Sequence, residues 1–162
     1  MTRVARVLVA LAVILTLPAA AFAQKYEGTA VKSGQAAVWF AGNDLAFAYV
    51  EGGFQQMQGF TMATLVFRPD AKSKGDPHLN ITVMYQAPGK VDLDSAFSTS
   101  GIGMFHDGDV ARFTKGKSKC TITLTKATPT EVEGTAECPL LHNIEGTVMP
   151  ALTVRKFAAS VK

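Results

Sequence analysis

The chain has 162 residues, with 16 lysines and arginines against 13 aspartates and glutamates and a formal net charge of +3. That length suits one domain large enough to bury a core. Two of the basic residues, Arg3 and Arg6, fall in the leader described next, so the remainder is close to neutral and global charge gives no footing for nucleic-acid binding.

The first element reads MTRVARVLVALAVILTLPAAAFAQ. Arg3 and Arg6 open it, an apolar run fills 7–17, Pro18 breaks the run, and Ala21-Phe22-Ala23 supplies a small-x-small cleavage site. This is the pattern of a secretory signal peptide at 1–23, removed before Gln24. The apolar run is far shorter than the roughly 20 residues that span a bilayer, and no later run is long enough. Residues 24–162 are therefore expected as a single exported domain, periplasmic or extracellular.

From there the apolar period is mostly two, and turn residues punctuate it at the spacing of an all-β fold. Strands are expected at 25–31, 36–41, 45–51, 60–67, 79–86, 90–94, 102–106, 109–113, 119–126, 131–138 and 152–159. They predict a single-domain antiparallel β-sandwich, with a small closed β-barrel as the alternative. The 36–51 segment is alanine-rich and has Asn43 as a possible helix cap before Asp44, but its aromatics and valines favour a hairpin turning on Gly42-Asn43-Asp44. That turn brings Trp39 near Phe47, with Tyr49 on the same face; in the barrel alternative these three line an apolar-ligand cavity.

Gly52-Gly53-Phe54-Gln-Gln-Met57-Gln-Gly59-Phe60 follows. It reads as a loop whose Phe54, Met57 and Phe60 form a binding edge, or which folds Phe54 onto the end of the sandwich. The most polar stretch, 68–77, reads as a surface loop. In LNITVMY, Leu79, Ile81, Val83 and Tyr85 share one face and Asn80, Thr82 and Met84 the other. Asn80-Ile-Thr82 is a glycosylation sequon, relevant only in a eukaryotic secretory pathway. Of Met57, Met62, Met84, Met104 and Met149, only Met84 has a phase that points outward; the others are expected to fill gaps in the core.

Gly103-Met-Phe-His-Asp-Gly-Asp109 looks most like a site. Met104 and His106 share a strand face, and a thioether beside an imidazole suits copper. Asp107 and Asp109 are hard oxygen donors suited to calcium, but they lack the spacing of a calcium loop. Asp107-Gly108 between two apolar runs is also a hairpin turn, and that reading is preferred, with Met104 in the core and His106 ending a strand. The basic run Arg112, Lys115, Lys117 and Lys119 reads as a solvated strand end, with an anionic surface as the alternative and some lysines paired to Glu131, Glu133 and Glu137. Asp92 and Asp94 share a strand face and read as a solvated edge.

The only two cysteines lie in KCTITLTKATPTEVEGTAECP. Folding this stretch about Pro129 sets Cys120 opposite Cys138, Ile122 opposite Ala136 and Leu124 opposite Gly134. Large residues then meet small ones on the buried face, while threonines meet Glu131, Glu133 and Glu137 on the wet face. A one-residue slip would bury the glutamates. Opposed strand residues stand at disulfide distance, and export supplies an oxidising compartment, so a cross-strand Cys120–Cys138 disulfide is expected. Finger spacing for zinc and a Cys-x-x-Cys redox pair are both missing. In the last strand Leu152 and Val154 share a face and Phe157 changes parity, which predicts a bulge near Arg155-Lys156.

Three histidines, His78, His106 and His142, exist without a G-x-S-x-G serine, so no enzyme and no cofactor are expected. The function expected is an exported binding module whose partner is a protein, a glycan or a cell-envelope component. A barrel carrier of a small apolar ligand and a copper protein using Met104 and His106 are the alternatives.

Overall fold

The computed structural model describes residues 28–95 and 98–162. The leader expected at 1–23 lies outside the described residues, as does the start of the strand expected at 25–31. The described chain forms β1 (Thr29–Ala30), β2 (Ser33–Phe40), β3 (Asn43–Phe47), β4 (Tyr49–Met57), β5 (Phe60–Arg68), β6 (His78–Tyr85), β7 (Gly89–Val91), β8 (Gly101–His106), β9 (Asp109–Arg112), β10 (Lys119–Thr128), β11 (Glu131–His142), β12 (Val148–Met149) and β13 (Leu152–Ser160). It contains no helix.

One open antiparallel sheet runs in the order β1-β4-β5-β6-β8-β9-β11-β13-β2-β3 and doubles over into a sandwich. The front layer holds β1, β4, β5, β6, β8, β9 and β12; the back layer holds β7, β10, β13, β2 and β3. β11 belongs to both. Its residues 131–138 pair with β13, while Leu141 and His142 pair with β12 and His142 also pairs with β9 in the front layer. Against β10 the pairing steps from Thr121↔Glu137 to Lys119↔Leu140, leaving Pro139 as the extra residue of a bulge. Proline has no amide hydrogen to give a ladder, so a bulge at the bend suits it.

The expected hairpin is present. Ile122 opposes Ala136, Leu124 opposes Gly134, and Cys120 is bonded to Cys138. The turn proper is Pro129-Thr130, because Thr128 pairs with Glu131, and a bulge at Thr125 absorbs the odd residue. Ile122, Leu124, Val132, Ala136 and Cys138 are buried. Gly134 has a steric reason to lack a side chain: a Cβ there would collide with the Thr123 carbonyl and lie 3.0 Å from the Phe157 ring. The bulge expected in β13 is also present. Val154 opposes Val38 and Lys156 opposes Ala37, so Arg155 is extra, and both Leu152–Val154 and Phe157–Ala159 turn their apolar members inward.

The core between the layers includes Phe40, Phe47, Phe54, Phe67, Phe157, Leu65, Leu79 and Ile81. Phe67 of the front layer meets Phe157 of the back edge to face, 6.4 Å between centroids.

Four expectations are corrected. The strand expected at 45–51 is broken at Ala48, where the chain leaves β3 in the back layer and enters β4 in the front. The β2–β3 turn is Ala41-Gly42, both at positive φ, rather than Gly42-Asn43-Asp44. That shift makes Trp39 face Asp44 and Ala36 face Phe47, so Trp39 lies on the solvent face and Phe47 in the core. Gly52-Gly53 is no turn but the middle of β4; the turn is Gln58-Gly59. A Cβ on Gly52, at φ +129°, would run into the Thr64 carbonyl, so glycine here permits close strand approach. Finally, the sheet does not close into a barrel, since β1 and β3, the two ends of its path, are not neighbours; the interior expected for an apolar-ligand carrier is filled by side chains.

Two substitutions probe the hairpin packing and its staple. Gly134→Ala is expected to lower stability by about 1–3 kcal/mol through overpacking against Phe157, read as a lower urea midpoint. Replacing both cysteines by alanine opens a loop of sequence separation 18 and is expected to cost about 3 kcal/mol, measured in the same titration.

Candidate binding face

The outer face of the front layer is set by alternation in three strands. Val50 and Phe54 of β4, Ala63, Leu65 and Phe67 of β5, and Leu79, Ile81, Val83 and Tyr85 of β6 point inward. Gln55, Met57, Phe60, Met62, Thr64, Thr82 and Met84 therefore point outward. Register arranges them in rows: Met57 opposes Phe60, Gln55 opposes Met62, and Met62 opposes Met84. Met57 and Phe60, adjacent across the hairpin, are 44% and 39% exposed; Val148 of β12 is the other exposed large apolar side chain of this layer. Beside them an open cleft of about 380 Å³ is lined by Ala30, Gly53, Gln55, Met62 and Thr64. Gly53 also lets β1 lie close: a Cβ there would sit 3.0 Å from the Thr29 carbonyl oxygen.

Of the candidate binding residues, Met57 and Phe60 thus sit together at the tip of the β4–β5 hairpin, while Phe54 points the other way into the core at 2% exposure. Met62, like Met57, was expected to fill a gap in the core with only Met84 outward; both instead lie on the outer face, and Met62 pairs with Met84. The signal for Met62 was the parity of Ala63, Leu65 and Phe67, which the outward Phe60 and Val66 obscured.

Polar bonds hold this corner from beneath. Gln56, Thr61 and Tyr85 share one inner row. Thr61 donates to Gln56 Oε1 at 3.2 Å, Gln56 Nε2 donates to the Pro129 carbonyl at 3.4 Å, and the Tyr85 hydroxyl donates to the Thr128 carbonyl at 2.8 Å. The front hairpin is thereby tied to the β10–β11 turn of the back layer.

The segment around His106 takes a different form. Asp107-Gly108 is a two-residue turn at positive φ between β8 and β9. Met104 is fully buried under the front layer. His106 ends the strand, its ring edge on Phe40 at 6.1 Å and its Nδ1 3.1 Å from the Asp107 carboxylate. Asp109 is exposed, and Asp76 reaches the turn by accepting the Gly108 amide at 2.7 Å. Among the described residues no three His, Cys, Asp or Glu side chains converge on a common point. His78 stacks on Phe105 with centroids 4.0 Å apart. Asn80 lies in mid-strand with its Oδ1 buried, a poor glycan acceptor.

His142, in contrast, is buried and 3.1 Å from Ser118 Oγ. That oxygen also accepts the Thr114 amide and lies 3.4 Å from the Arg112 carbonyl. It is a turn-closing hydroxyl spanning 114–118, enclosed at 6% exposure. In the basic run, Lys115 donates to the Ser95 carbonyl, and the cross-hairpin ion pair is instead Lys126 with Glu131 at 2.8 Å. Asp92 and Asp94 cap local amides: Asp92 those of Asp94 and Ser95, and Asp94 that of Gly116.

No family model, curated protein or solved structure of significant similarity matches the chain.

Burial pushes the Tyr85 phenol above its ordinary value. An acid whose pKa is raised by folding contributes its full stabilisation below the unfolded value of about 10, and loses it as pH climbs further. Tyr85→Phe is expected to cost about 1 kcal/mol at neutral pH by removing the Thr128 bond. It should also flatten the loss of stability above about pH 10, followed by urea titration at stepped pH.

Proposed function

We propose that the chain is an exported binding module acting through recognition rather than catalysis, in the periplasm or outside the cell. The Cys120–Cys138 bond supports an oxidising location. The observation that carries the binding reading is the exposed apolar corner of Met57 and Phe60 beside the cleft lined by Gly53, Gln55 and Met62. Large apolar side chains at a hairpin tip are costly to leave in water and gain most when a partner covers them. The corner is also pre-organised, since Gln56 and Tyr85 fix the strand ends beneath it, and a rigid surface loses less entropy on association. Its partner is a protein, a glycan or another envelope component.

Photo-reactive residues placed at Phe60 and at Thr121, on the outer face of the back layer, test this in the native envelope. A discrete adduct at position 60, absent at 121 and reduced about tenfold by Met57→Ser, is the expected result. Equal labelling at both positions would remove the binding face from consideration.

A further inference from the structure

Two exposed aliphatic side chains lie away from the Met57–Phe60 corner. Ile144 is 68% and Val148 63% exposed, more than Met57 or Phe60. Both belong to the hairpin that joins β11 to β12. Its loop closes on itself. The Asn143 amide donates to the Thr147 carbonyl at 2.9 Å, the Gly146 amide to the Asn143 carbonyl at 3.2 Å, and the Thr147 amide to Asn143 Oδ1 at 2.8 Å. A tip whose backbone groups are paired internally loses less on leaving water.

The basic run gathers at the base of this hairpin, and His142 joins the two. Val148 opposes His142 on one side, and Arg112 opposes it on the other. Directly opposed residues share a sheet face, so Val148 and Arg112 flank His142 on the outer face, two strand spacings or about 10 Å apart. The turn 114–118 lies against His142, with Ser118 Oγ 3.1 Å from its Nδ1. Lys117 and Lys119 stand on either side of Ser118 in the chain and are exposed. Lys115 is held by the Ser95 carbonyl, but Arg112, Lys117 and Lys119 form no ion pair among the described residues. Asp92 and Asp94 are occupied by backbone amides. Glu145, at the exposed tip, is the hairpin's one carboxylate.

This chemistry favours a bilayer over a folded partner. Protein hot spots are built from Trp, Tyr and Arg seated in pockets. Here branched aliphatic chains stand on a projecting tip beside flexible lysines. Aliphatic chains gain from an acyl boundary without a fitted pocket, and lysines need only a negative surface potential. We propose that the 143–148 hairpin, with Arg112, Lys117 and Lys119, docks the protein on a membrane surface carrying anionic lipid headgroups. Ile144 and Val148 enter the interfacial zone, and the cations lie at headgroup level. Glu145 limits the depth, since the same headgroups repel it. β11 is five strands from β4 in the sheet, so this surface is separate from the Met57–Phe60 corner and needs no partner there.

The test sediments the protein, its disulfide intact, with vesicles of phosphatidylcholine, with and without phosphatidylglycerol. Binding is expected only where phosphatidylglycerol is present, and is expected to fall as salt rises. Lys117→Gln with Lys119→Gln is expected to weaken it about thirtyfold, and Ile144→Ser with Val148→Thr about tenfold. Glu145→Gln is expected to strengthen it about fivefold. All five side chains are exposed, so wild-type melting is expected throughout, and Met57→Ser is expected to leave vesicle binding unchanged. Equal sedimentation with both vesicle types, none with either, or hairpin variants that bind like wild type would overturn the proposal. A photo-adduct from position 144 to a protein, without vesicle binding, would overturn it in favour of a protein partner. A position-60 adduct that persists in a chain ignoring vesicles would leave the Met57 corner standing while this surface falls.

Discussion

The passage of β11 from one layer to the other is the constraint on which the remaining structure depends. Residues 131–138 are laddered to β13, and Leu141 and His142 to β12 in the opposite layer. The bend occupies Pro139 and Leu140; elsewhere among the described residues the chain changes layer between strands, as at Ala48 between β3 and β4, and not within one. Cys120 fastens the last residue before that bend. Were Cys138 to slide along β10, the Ile122–Ala136 and Leu124–Gly134 matches would be lost together, and Phe157 would lose the space that Gly134 leaves for it. The disulfide therefore holds a register already set by shape, at the one place where the ladder must bend.

How much of this was legible depended on whether the two faces of a strand differ. β11 alternates glutamate and threonine with small apolar residues, so its inward face is unambiguous, and its pairing partner followed from size. β13 announced its bulge by the change of parity between Val154 and Phe157. β5 was silent on this point. Phe60, Met62 and Val66 on one face are nearly as apolar as Ala63, Leu65 and Phe67 on the other, so composition does not say which face is buried, and only the pairing with β6 decides. The outward methionines were hidden for that reason.

Glycine misled in one place for a physical reason. Gly52-Gly53 has the composition of a turn, but its role is to let β1, β4 and β5 approach one another. A sequence shows that a side chain is missing; it does not show whether a turn or a neighbouring strand required the space. The Trp39 and Phe47 pairing failed through a one-residue error in the turn, and in a strand one residue is the whole difference between core and solvent. Asp107-Gly108 was easier, because a two-residue turn with positive φ at both positions is the commonest use of that dipeptide between strands.

Placing a covalent bond at the bend also gives the chain two mechanical states. A domain of this size is stable by about 5–15 kcal/mol, and a loop closed by one disulfide contributes about 3 kcal/mol of that. Reduction therefore raises the unfolded population by about a hundredfold. In a reducing compartment the chain is comparatively soft. Once oxidised it is locked. Cys120 and Cys138 act in that sense as a latch, converting a difference in redox surroundings into a difference in pliability.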